Sequence, residues 1–168
     1  MISKRKVVHL EEVYLIETRE HVDYVHKIEI KAPLAVYLPR KTMKDKRIAV
    51  NLNTYRNLHF LVNNQAKKIY AKEIDKYIRD KKMATPVTIE YRVYKQSKRH
   101  LDKMNVVSVT SKYLLDALTE AGVWPDDNDD YVKTEIIHPT RIDKENPRCE
   151  VIITYVGDEE RLINVNEI

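Results

Sequence analysis

Between Leu101 and Asp130 the chain reads LDKMNVVSVTSKYLLDALTEAGVWPDDNDD, and this run restricts the fold more than any other. Val107, Leu114, Leu118 and Ala121 recur on one helical face, with Val109 and Leu115 flanking, which predicts a helix from about Val106 to Ala121. Asn105 is a good N-cap. Gly122 sits where a left-handed C-cap belongs, and Trp124-Pro125 prevents continuation. Asp102 precedes the helix, and Asp126, Asp127, Asn128, Asp129 and Asp130 follow it. Folded up, the segment can bring Asp102, Lys112 and the Asp126/Asp127 pair to one place. Carboxylates converging beside a lysine are what metal-dependent phosphodiester chemistry needs.

Around this helix the pattern predicts alternating elements. Val87 to Lys95 (VTIEYRVYK) alternates and is rich in β-branched and aromatic residues, the clearest strand in the chain. Tyr131 to His138 and Pro147 to Val156 read as two further strands, joined by a polar turn over Pro139 to Asn146. Upstream, Val22 to Lys31 and Arg47 to Asn53 are strand candidates, and Lys6 to Leu15 is a weaker one. From Thr54 to about Arg79, Leu58, Val62, Ala66, Ile69, Tyr70 and Tyr77 recur at helical spacing, with Asn53 or Thr54, or else Asn63 or Asn64, as the cap. The order suggests an α+β fold: a small mixed sheet with two main helices packed on one face. Residues 21–168 form one domain in this reading, and residues 1–20 an N-terminal extension of unassigned structure.

Composition narrows the function classes. At 168 residues the chain can bury a sizeable core. Its two glycines, Gly122 and Gly157, exclude P-loop and dinucleotide-binding loops. One cysteine, Cys149, cannot make an internal disulfide and fits a reducing cytoplasm. No run of 18 apolar residues predicts a membrane span, and the start MISKRKVVHL lacks the apolar core of a secretory signal. The six histidines show no paired ligand spacing, which argues against zinc. The net charge of +4 leans mildly towards a polyanionic partner.

Each charged constellation has two readings. Lys68, Lys72, Lys76 and Arg79 share a helix face, either a solvated one diluted by Glu73, Asp75 and Asp80 or one that contacts backbone phosphates. Lys112 and Asp116 stand four apart, as an exposed ion pair or as part of a site. The Asp126–Asp130 cluster is either a solvated acidic turn or a place where bound Mg²⁺ relieves mutual repulsion. It is not an EF-hand loop, because Tyr131 stands at the glycine position and Ile137 at the position of the last glutamate.

The run LLDALTEAGVWPDD, Leu114 to Asp127, resembles the signature of RusA-type endonucleases, small Holliday-junction resolvases common in prophages. That family looks like a strand, a basic run, an Asp-x-Asp-Asn element, a helix with a lysine four residues before Asp-Ala-Leu, then Gly-x-Trp and an Asp-Asp pair. Here Val87–Lys95, the basic run Lys98–His100, Lys112 before Asp116-Ala117-Leu118, Gly122-Val123-Trp124 and Asp126-Asp127 fit it in turn. The likeness covers roughly residues 86–156, is vague over 27–82 and is absent over 1–20. One element departs: Asp102-Lys103-Met104-Asn105 has one acidic position lost or displaced, and Asn105 lies seven residues before Lys112 where the family has three. The excess of four residues is close to one helical turn, which would keep Asn105 and Lys112 on the same side.

The resemblance implies an α+β homodimer that binds four-way junctions and nicks symmetric strands with Mg²⁺, or Mn²⁺ in its place. It implies a metal held by Asp102 and Asp127 with Asp126 assisting, and Lys112 as the essential lysine that neutralises the transition state. The ion would activate water and stabilise charge on the scissile phosphate. Lys98, Arg99, Lys103 and the Lys68/Lys72/Lys76/Arg79 stripe would bind DNA backbone, which suits a protein reading branched shape more than sequence. The expected function is resolution of branched DNA in recombination and repair. The alternative is a catalytically impaired branched-DNA-binding protein on the same fold.

Overall fold

Alternation along three strands organises the molecule, described by a computed structural model over residues 22–157. β1 (Tyr24–Val25), β2 (Lys27–Ala32), β3 (Ala35–Leu38) and β4 (Lys46–Ala49) come first. Then follow α1 (Leu52–Asn57), α2 (Phe60–Ile78), β5 (Lys82–Met83), β6 (Val87–Lys95), α3 (Lys103–Glu120), β7 (Val132–Ile137), β8 (Arg141–Ile142) and β9 (Arg148–Tyr155). The main sheet has the order β2-β9-β6-β7, with β8 pairing beside the end of β6. β9 is antiparallel to both neighbours, whereas β6 and β7 are parallel and joined through α3. The expected Lys6–Leu15 strand and the extension 1–20 lie outside the described residues.

One face of this sheet is apolar because every second residue points to it. Ile28, Ile30 and Ala32 of β2, Val87, Ile89, Tyr91 and Val93 of β6, and Cys149, Val151 and Ile153 of β9 are all buried. The helices cover that face, with Ala66, Tyr70, Ile74 and Ile78 of α2 and Val107, Leu114, Ala117 and Leu118 of α3. The mixed α+β architecture expected from the sequence is what forms. α2 and α3 lie side by side and run the same way, since Tyr113 meets Asn63 and Asp116 meets Lys67 one turn further on. Burial pushes the Cys149 thiol up to about 12.

The opposite sheet face carries charge that is neutralised locally. Arg148 donates to Asp143 at 2.7 Å and through Nε to Glu150 at 2.9 Å, and its guanidinium stacks on Tyr94. The Arg148 hydrogen bond holds the Asp143 carboxyl below its usual range. Glu90 meets His138 Nε2 at 2.7 Å.

Several boundaries differ from the sequence reading. The predicted helix over Thr54–Arg79 is two helices, broken at Leu58-His59. Leu58 is extended at ψ 136°, and packs against the core. The caps are Asn51, whose side chain accepts from Thr54 N–H at 2.9 Å, and His59, whose Nδ1 accepts from Leu61 N–H at 3.3 Å. Asn51 at the start of α1 also shortens the Arg47–Asn53 strand to β4. α3 begins three residues before its predicted start, because Asp102 rather than Asn105 caps it. Ala121 is exposed at the helix end instead of buried.

Candidate functional site

The C-terminal stop of α3 forms as the residues dictate. Gly122 adopts φ +68°, its N–H donates to Thr119 C=O at 2.9 Å, and Val123 N–H donates to Leu118 C=O at 3.0 Å. This pair of bonds satisfies the last carbonyls of the helix and turns the chain out of it. Val123 and Trp124 are then buried, and Trp124 Nε1 donates to Thr119 Oγ1 at 3.2 Å. With the helix end anchored, Asp126–Asp130 projects as an exposed turn. Asp126 accepts from Asp127 N–H at 2.9 Å and from Asn128 Nδ2 at 2.8 Å, and Asn128 Oδ1 accepts from Asp130 N–H at 2.9 Å. The Asp127 carboxylate has no hydrogen-bond or ion-pair partner among the described residues.

At the other end, Asp102 Oδ1 accepts from Met104 N–H at 3.0 Å and Asn105 N–H at 3.4 Å. A carboxylate there satisfies free amides and faces the positive end of the helix dipole. Lys103 Nζ reaches Ile137 C=O at 3.5 Å, which puts the start of α3 on the side of the sheet where β7 ends. Lys98 and Arg99 stand exposed on the preceding loop, where Lys95 Nζ donates to Arg99 C=O at 2.8 Å.

The two carboxylate positions therefore do not converge within one chain, which corrects the expectation drawn from the sequence. α3 has 18 residues, and at about 1.5 Å per residue its ends lie about 27 Å apart. The sheet gives the same answer. Val87 N–H donates to Tyr131 C=O at 2.8 Å, so the acidic turn sits at the start of β6, while Asp102 follows its end. A shared ion needs carboxylates within about 5–6 Å, given oxygen ligands at about 2.0–2.6 Å. Among the described residues no three His, Cys, Asp or Glu side chains are grouped to hold a metal ion. A single chain thus does not fit the Mg²⁺ site.

Lys112 lies exposed on the solvent face of α3, ten residues along from Asp102, or about 15 Å by the same rise. Asn105 shares its side of the helix, as the extra turn predicts. Asp116 does not pair with Lys112. It forms an ion pair with Lys67 of α2 and ties the two helices together. Lys68, Lys72 and Lys76 are exposed on one face of α2, and Arg79, its C-cap, is exposed at its end. Arg79 is held by Asp75, with Nε donating at 2.7 Å, and Lys76 lies 5.0 Å from the Tyr77 ring centre. Lys68 and Lys72 have no such partner among the described residues.

Two groups escaped the sequence reading. Glu135 of β7 accepts from Tyr91 OH at 2.6 Å and Ser111 Oγ at 2.7 Å, pinning β7 to α3. Burial, with Glu135 adding to it, raises the Tyr91 hydroxyl well above its usual value. The alternation of β7 hints at an inward Glu135, but nothing in the sequence reveals its partners. The second group is Arg47 and Lys95, which join Arg99 and His100 of the expected basic run around one cleft. They are scattered over the chain, so only the fold assembles them.

No helix among the described residues is long and apolar enough to cross a membrane. Comparison with protein-family models and with curated proteins finds no match to this chain.

Proposed function

We propose that the chain is a metal-dependent, structure-selective endonuclease for branched DNA whose sites form between two copies. The observation that carries this reading is the open edge of β7. Among the described residues no strand pairs with its outer side, and Lys133 to Ile136 are exposed along it. Such an edge is a ready template for a second strand. A two-fold axis that lays β7 antiparallel to β7 of a second copy sets each Ile137 beside the other copy's Val132. Lys103, next to Asp102 in the chain, bonds the first of these positions, and the Asp126–Asp130 turn precedes the second. The two halves of the acidic set, about 27 Å apart in one chain, then face each other in the dimer. The likeness of Leu114–Asp127 to the RusA-type signature supports the same chemistry.

In that arrangement Asp102 of one copy and Asp126 and Asp127 of the other are the residues that would hold Mg²⁺ or Mn²⁺. Such an ion supplies water activation and charge neutralisation at a phosphate. Lys98, Arg99 and Lys103 stand beside one half of the site. The Lys68/Lys72/Lys76/Arg79 face of α2 offers a second row of cations for backbone phosphates. Repeating both rows by a two-fold suits a symmetric four-way junction.

The test is complementation on a synthetic four-way junction with Mg²⁺. Asp102→Asn and Asp127→Asn are each expected to lose nicking by about a hundredfold or more while still binding the junction. Mixing the two variants restores nicking, because each mixed dimer rebuilds one site from the two wild-type halves. Mixed dimers that form but stay inactive would overturn the shared site. A second reading, a branched-DNA-binding protein without cleavage, is favoured by Met104 at the second acidic position and by the capping bonds on Asp102. Junction binding by the wild-type protein with no metal-dependent nicking would select it.

A further inference from the structure

A cleft of about 300 Å³ opens beside Asp102, between the β6–α3 loop, the β3–β4 ladder and the segment before β9. Its floor is apolar: Leu34, Val50 and Val106 line it, and the last two are buried. Its rim carries the cations Arg47, Lys95 and Arg99, with Asn51, Gln96, Ser97 and His100 beside them, and no carboxylate lines it. Lys95 is braced by the Arg99 carbonyl, which fixes the arch of the loop above the floor. Arg47 and Arg99 have no carboxylate partner among the described residues.

We infer that this cleft takes one unstacked nucleotide of a DNA strand, its base against the apolar floor and its flanking phosphates on the arginine rim. An apolar floor gives a bare phosphate nothing to bind, and three cations with no carboxylate favour an anionic ligand over a neutral one. A nucleotide satisfies both, since its base can pack on the aliphatic floor while its phosphates meet the cations of the rim. The size is at the small end of ligand pockets, which suits one base rather than several. This rests on the branched-DNA reading only in its choice of DNA. It gives that reading a recognition element, because unpaired or loosened nucleotides concentrate at branch points.

The experiment uses the full chain in EDTA, so that no cleavage intervenes. A twelve-nucleotide single strand with a central 2-aminopurine is titrated at low salt, beside the same strand with an abasic site in its place. Wild-type protein should change the 2-aminopurine fluorescence and bind the abasic strand about tenfold more weakly. Arg47→Glu and Arg99→Glu should each weaken binding of both strands by about tenfold, whereas Leu101→Asp, on the apolar lining, should remove the advantage of the intact strand over the abasic one. Lys144→Glu, an exposed change of equal charge outside the cleft, should cost less than about twofold. Circular dichroism confirms that each variant folds. Equal affinity for intact and abasic strands would overturn the proposal. So would an effect of Lys144→Glu as large as that of Arg99→Glu, or equal displacement by an acidic peptide. Leu101→Asp protein that still prefers the intact strand over the abasic one, in a chain that nicks junctions, would refute the cleft alone. Intact base dependence with no nicking would refute the endonuclease alone.

Discussion

The two ends of α3 both carry aspartates, but they hold them differently. At the start, Asp102 is part of the helix: its oxygen completes two backbone amides. At the end, the Schellman-type turn at Gly122 does that work with backbone alone, and Asp127 is left without a partner among the described residues. One end uses a functional group type as structure, whereas the other separates the two duties. A carboxylate that caps a helix is stabilised in place before any ligand arrives. A carboxylate in an exposed turn is free to reorient.

That contrast can be broken by measuring stability at both ends. The largest effect is expected at Gly122→Ala, where a side chain must adopt φ +68° and its Cβ would stand 3.2 Å from Lys82 Nζ. A loss of about 1–2 kcal/mol in denaturant unfolding is expected from the left-handed conformation alone. Asp102→Ala should cost about 1 kcal/mol, the usual value of a lost N-cap, while Asp102→Asn keeps the cap and should cost only a few tenths. The smallest effect is expected at Asp127→Ala, within about 0.5 kcal/mol, because nothing in the fold depends on it. If Asp127→Ala proved as costly as Asp102→Ala, the separation of duties would be wrong. The asparagine variant sharpens the point for activity, since a loss of nicking in Asp102→Asn cannot be blamed on an uncapped helix.

Local signals carried much of the fold. β6 spans Val87–Lys95 as its alternation predicts, and the Gly122-Val123-Trp124-Pro125 stop behaves as its residue types require. The break between α1 and α2 was not legible: neither proline nor glycine marks Leu58-His59, and the pause is set by packing of Leu58 against the core. β3 is only four residues long and was missed because Ala35–Leu38 follows Pro33 without a clear alternation. Asp102 and Asn105 are both good caps by type, and the structure chooses the earlier one. The acidic residues themselves were readable, but not their separation. Spacing along a helix shows which side chains share a face. Whether the residues beyond its two ends can meet depends on the length between them and on what a second copy brings.

Cys149 gives this molecule a reporter of its own opening. Its sulfur lies on β9, between β2 and β6, fully enclosed by the core. An unfolded thiol loses its proton near 9.0, whereas this one keeps it to about 12. Between those values unfolding releases a proton, so alkaline conditions weaken the native state progressively. At neutral pH the thiolate that attacks a labelling reagent is scarce in the closed protein and the sulfur is out of reach. The rate at which the single thiol is modified therefore counts excursions of the central sheet, without an added probe and without reference to DNA.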